Sequence, residues 1–263
     1  MRLLVAVLTV VSLSSCSFFK EKLEPPKKLT KIPENVVVKE RWSRTVGKGL
    51  GELKADLSAG VGLGDTIVLI GSLEGDVIAL NQIDGQEIWR TNIASEILAP
   101  PQTNGNVVVV QTNDGKLYGL EHETGKFLWR YSAKLPVLTL RGTATPQVFG
   151  NNLITGFANG KIVALSAEDG VLYWERRVAY PQGLTQLDRV VDVDGSPVIS
   201  GSTVYSTSFN GHITAIAPDG RLRWTQKVSS HQTPLVIGDR VFVTAADGSL
   251  HSYDAKTGLP LWE

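Results

Sequence analysis

The sequence is poor in the residues that most reactive or metal-binding sites require. It carries one cysteine and four histidines in 263 residues, and His122, His212, His231 and His251 show no metal-ligand spacing. No metal site is expected. Positive and negative side chains balance at 26 each, which excludes the strongly basic footprint of a nucleic-acid binder and a disordered acidic tail. After residue 20 no segment has helical periodicity. No nucleophile elbow or phosphate loop is present: Gly47, Gly49 and Gly51 alternate, but no helix pattern follows for a phosphate to cap. Nothing nominates a catalytic residue or a resident cofactor.

What the sequence does have is a block that recurs five times and closes on tryptophan. The copies are EGDVIALNQIDGQEIW (74–89), DGKLYGLEHETGKFLW (114–129), NGKIVALSAEDGVLYW (159–174), NGHITAIAPDGRLRW (210–224) and DGSLHSYDAKTGLPLW (247–262). Tryptophan spacing gives a period of 38 to 50 residues, and each copy reads as strand, glycine turn, strand. That is the signature of a β-propeller of four-stranded blades. The Asp-Gly and Asn-Gly pairs suit a tight hairpin turn, and apolar residues follow at strand period. A second turn ends in Gly85, Gly125, Gly170, Gly220 or Gly258, and the indole follows four residues later. A ring that recurs at one register is read as a wedge between blades: Trp89, Trp129, Trp174, Trp224 and Trp262. In the second repeat, residues 99–103, 107–112, 117–121 and 127–131 are the expected strands.

The first residues do not belong to that fold. A positive start, an apolar stretch over residues 3–13 too short to span a bilayer, and Leu13-Ser14-Ser15-Cys16 resemble a bacterial lipoprotein signal. The expected divisions are a signal peptide over 1–15, a lipidated flexible tether over 16–40 rich in proline and charge, and a propeller domain over 41–263. Acyl chains on Cys16 would hold the protein stably on a membrane. By resemblance to known lipoproteins, Ser17 after Cys16 implies sorting to the outer membrane, on its periplasmic face.

Trp42, in Arg41-Trp42-Ser43, matches the repeat ends, yet no glycine-turn strand pair precedes it. A lone outer strand there is expected to complete a blade whose other strands come from the C-terminal side, so five blades plus this strand read as an open arc of a longer propeller. A complete five-bladed ring is the alternative. Recognition is expected where the repeats depart from regularity. From Trp89 to Asp114 is 25 residues and from Trp224 to Asp247 is 23, but Trp129 to Asn159 is 30 and Trp174 to Asn210 is 36. Extra length forms loops, and loops carry binding. The first long connection holds Leu138-Thr139-Leu140-Arg141-Gly142, whose apolar residues either pack under the loop or face a partner. The second holds Leu187-Asp188-Arg189-Val190-Val191-Asp192-Val193-Asp194. On an extended strand Asp192 and Asp194 project to one side, as a solvated rim, a weak cation site or an acidic patch.

The lipoprotein signal, the repeats and these two connections together resemble the BamB family, lipoproteins of the β-barrel assembly machinery of Gram-negative outer membranes. The resemblance covers the whole chain in order, and it implies an eight-bladed propeller of which about five blades are present. It further implies a scaffold that docks on the periplasmic POTRA domains of BamA, beside other members of the complex, and aids insertion of unfolded barrel clients. Carried over by motif, the docking residues are Leu138, Leu140, Arg141, Asp192 and Asp194. Two other classes compete. Pyrroloquinoline-quinone dehydrogenases use similar repeats, but known members bind calcium and often carry adjacent cysteines, and this chain has no cysteine pair. A cell-wall or carbohydrate-binding lipoprotein would use the tryptophans as sugar platforms, against which their regular offset argues.

Overall fold

The computed structural model describes residues 39–47, 66–140 and 142–263. The signal segment, Cys16, the tether to residue 38, Gly49, Gly51 and Arg141 lie outside the described residues. The described residues contain nineteen strands and no helix, arranged as five antiparallel sheets within one compact unit, Arg41–Glu263.

The first sheet orders β1 (Ile67–Gly71), β2 (Asp76–Asn81) and β3 (Glu87–Asn92). The second is β4 (Gln102–Thr103), β5 (Val107–Gln111), β6 (Lys116–Glu121) and β7 (Phe127–Ser132). The third is β8 (Gln147–Phe149), β9 (Asn152–Phe157), β10 (Lys161–Ser166) and β11 (Leu172–Arg177). The fourth is β12 (Val198–Ser200), β13 (Thr203–Thr207), β14 (His212–Ile216) and β15 (Leu222–Lys227). The fifth is β16 (Leu235–Ile237), β17 (Arg240–Thr244), β18 (Leu250–Asp254) and β19 (Pro260–Trp262). Four sheets therefore have the expected four strands, and the first shows three among the described residues. The innermost strand expected over 99–103 shrinks to β4, because Pro100 and Pro101 have no backbone N–H to donate to a ladder.

Each sheet stacks on the next, and the apolar core lies between them. In β5 all five residues are buried: Val108 and Val110 join the first sheet's Leu69 and Val77, while Val107 and Val109 join the third sheet's Leu153 and Val163. A strand covered on both faces reads as an unbroken apolar run. The same pairing repeats between sheets three and four and between four and five. Among the described residues no apolar cluster joins the fifth sheet to the first, so the sheets form an open arc.

The tryptophans act as the wedges expected. Each indole nitrogen donates to a carbonyl of the following repeat: Trp42 to Gln82 (3.0 Å), Trp89 to His122 (2.8 Å), Trp129 to Ala167, Trp174 to Pro218 and Trp224 to Ala255 (2.9 Å each). Each ring also lies under the turn glycine of that repeat. A Cβ on Gly125 would sit 2.5 Å from the Trp89 ring, and one on Gly258 2.5 Å from Trp224; both glycines have positive φ (68° and 74°). Only glycine meets both demands. Opposite each indole across the ladder stands a small residue, Ala79, Gly119, Ala164, Ala215 or Ser252, and the ladder shifts register immediately after it. The bulge turns the ring toward the neighbouring sheet.

Three details depart from expectation. Trp42 docks like the others, but residues 39–46 form no strand among the described residues. Trp262 is 44% exposed, against 8% for Trp89 and for Trp224. In the fourth repeat the positive φ falls on Asn210 (50°) rather than on Gly211, and Gly211 is needed for space instead, since a Cβ there would collide with Ser208 Oγ at 2.1 Å. Asparagine tolerates the left-handed region better than most residues.

Candidate partner-docking site

The two long connections, residues 133–146 between β7 and β8 and residues 178–197 between β11 and β12, come together. In the first, Leu135 is the packing residue: it lies against Gly115, where a Cβ would meet its Cγ at 2.6 Å. Beyond it Val137 is fully exposed, Leu138 is 43% exposed and Leu140 is half-buried. Both readings of the loop's apolar residues thus apply, to different residues. Leu135 secures the base, and Val137 and Leu138 face outward.

The second connection is a stitched seam. Val190, Val191 and Val193 are buried, and Val193 fills the space left by Gly156. The Asp192 carbonyl accepts from the Phe209 amide (2.8 Å), and Asn210 Nδ2 donates to the Val190 carbonyl (2.9 Å), which ties the seam to the fourth sheet. Ser196 Oγ accepts from the Thr145 amide, and the Ser196 amide donates to Thr233 Oγ1, both at 3.0 Å. One short segment therefore joins the first long connection to the fourth repeat and to the connection beyond it.

At the centre stand the two aspartates. Asp194 reaches Gly142, where a Cβ would be 2.9 Å from its carboxyl carbon, and Asp192 lines the same small cavity. Asp192, however, is 1% exposed, which removes it from any solvated rim. The backbone amides of Val193 and Leu140 approach its carboxyl, yet burial, reinforced by the like charge of Asp194, pushes it up to about 8. Burial pushes Asp194 up to about 6, with the charge of His231 opposing the rise. Both shifts reflect the cost of placing charge in a poorly hydrated space. Asp192 Oδ2, Asp194 Oδ1 and Thr143 Oγ1 are buried without a hydrogen-bond partner, around a cavity of about 10 Å³ that these three residues help to line.

Of the docking residues implied by resemblance, the structure brings Leu140, Asp192 and Asp194 together and leaves Leu138 at the rim; Arg141 lies outside the described residues. Reading from sequence missed Gly142, Thr143 and Ser196, which close the seam, and Leu184 and Leu187, which the second connection leaves exposed. The glycine directly after Arg141 was the available signal. Among the described residues no three His, Cys, Asp or Glu side chains are grouped to hold a metal ion. The five docked indoles have their N–H groups engaged and a ring face under a glycine turn, so they are not free sugar platforms.

Comparison with known proteins agrees with this architecture. A family model described as outer membrane protein assembly factor BamB matches residues 39–263. The protein of that description from Pseudomonas aeruginosa is 40% identical over 301 residues, covering 99% of this chain and 78% of the relative. That from Shewanella oneidensis is 30% identical, covering 99% and 79%. The crystal structure of BamB from Moraxella catarrhalis superposes with a TM-score of 0.75 at 30% identity, over 78% of this chain and 62% of that one. A quinohemoprotein alcohol dehydrogenase from Comamonas testosteroni reaches a TM-score of 0.62 at 18% identity, over 75% of this chain and 41% of that one, a likeness of fold alone. With the repeats docked as described and the family matched across all five sheets, the chain belongs to the outer membrane protein assembly factor BamB family.

Proposed function

We propose that this chain is a noncatalytic scaffold of the outer-membrane β-barrel assembly machinery, held by lipid on Cys16 at the periplasmic face of the outer membrane. Its partner is the periplasmic POTRA region of BamA, gripped by the rim that the two long connections build together. In this role it aids delivery and insertion of unfolded barrel clients. The observation that carries the reading is the convergence of loop 138–142 with the 190–196 seam, which offers exposed leucine on a fixed base. Apolar anchors surrounded by polar groups are the usual anatomy of a modest protein interface. The printed names of the relatives, assembly factors of the outer membrane, point the same way.

A quinone-dependent enzyme is disfavoured because dehydrogenases enter only as fold neighbours at 14 to 18% identity. The decisive experiment titrates purified POTRA domains against wild type and Leu138→Ala. We expect the variant to lose more than about 1 kcal/mol of binding while its melting changes by about 0.5 kcal/mol or less, as suits an exposed residue. Unchanged binding would remove Leu138 from the interface.

A further inference from the structure

Resting on that reading, we infer that Asp192 is a positioning residue: it clamps loop 138–142 from inside the fold and makes no contact with the partner. The placement of the residue requires it. Its side chain is 1% exposed, so no docked surface reaches it unless the seam opens. Its carboxyl instead faces inward, into the small cavity that it lines with Asp194, Gly142 and Thr143, with the Leu140 amide nearby, while Asp194 closes on Gly142. Leu140 sits two residues from the exposed Leu138, so holding the chain at Leu140 holds the direction in which the rim leucine points.

The seam is itself held on other sides by Phe209, Asn210 and Thr233. The clamp therefore has a foundation held from three sides. A carboxyl this buried is favoured in its neutral form. An asparagine amide keeps the shape of that group and an acceptor oxygen on the Leu140 side, without the ability to ionise.

The test compares Asp192→Asn with Asp192→Ala in the same protein, using purified POTRA domains as the probe and amide hydrogen exchange at Leu140 in the free state as a second readout. A clamp predicts that Asn binds within about threefold of wild type and keeps Leu140 protected, whereas Ala binds at least tenfold more weakly and exposes Leu140 to exchange, with Leu138 and the rest of the rim intact. The inference is overturned if Asn loses as much affinity as Ala while Leu140 stays protected, since the carboxylate charge would then act on the partner directly. It is equally overturned if Ala changes neither readout. Asp192→Ser replaces Ala should the latter fail to fold. If wild type binds no POTRA domain, the proposed function fails, yet the exchange measurement still decides whether the clamp exists.

Discussion

The docking seams between sheets and the 190–196 seam across them are both buried and both polar in part, but they solve burial differently. Between sheets, the docked indole nitrogens are paired: that of Trp224 donates to the Ala255 carbonyl in a pocket where the ring is 8% exposed. Across the sheets, two carboxyls are buried with an oxygen each left unpaired. The first arrangement is a stabilising joint, repeated because it costs nothing to repeat. The second is expensive and stands beside the loop proposed to meet a partner. A protein tolerates unsatisfied buried polar groups where geometry matters more than stability.

Three measurements break or sharpen that contrast. The largest effect belongs to the joint: Trp224→Ala removes a buried ring and its hydrogen bond and is expected to cost about 3–5 kcal/mol, read by chemical denaturation. A loss below about 1 kcal/mol would mean the wedges are ornamental. The next concerns the carboxyls. Their folded-state pKa values, about 8 for Asp192 and about 6 for Asp194, lie above the unfolded range near 4. Their contribution is therefore fully present below pH 4 and is lost as pH rises through 6 to 8. Melting temperature should fall over that window, and Asp192→Asn should flatten the fall. Carboxylates held low by local hydrogen bonds, such as Asp247 and Asp254, act in the opposite direction and only under acid conditions. The smallest effect is expected at Trp262: with 44% of its surface exposed, Trp262→Ala in this chain should cost less than about 1.5 kcal/mol, well under the value for Trp224.

The joints were legible because they obey a local rule. A glycine with positive φ, then an indole four residues later, states both the turn and the ring that fills the space under the next one. The small residue opposite each indole was present in the sequence too, but Ala79, Gly119, Ala164, Ala215 and Ser252 share only size. The seam was legible in location, since the two longest connections flag it, and illegible in detail. Alternation of Asp with Val says that Asp192 and Asp194 leave one side of the chain. Which side is covered depends on Gly142, Thr145 and Phe209, about 20 to 50 residues away, and no local pattern encodes that.

Because each of the five docked indoles is completed by the carbonyl and glycine of the repeat after it, a module carries half of one fastener at either end, and the two halves match from module to module. Excising or duplicating a whole period, cut at the same point in two copies, would regenerate an intact fastener at the splice. Such a chain can change its number of modules without redesigning a single contact between them, while the bespoke lacing at residues 190–196 would be severed by the same cut. Recombination within this architecture should therefore be free to alter length everywhere except across that strip.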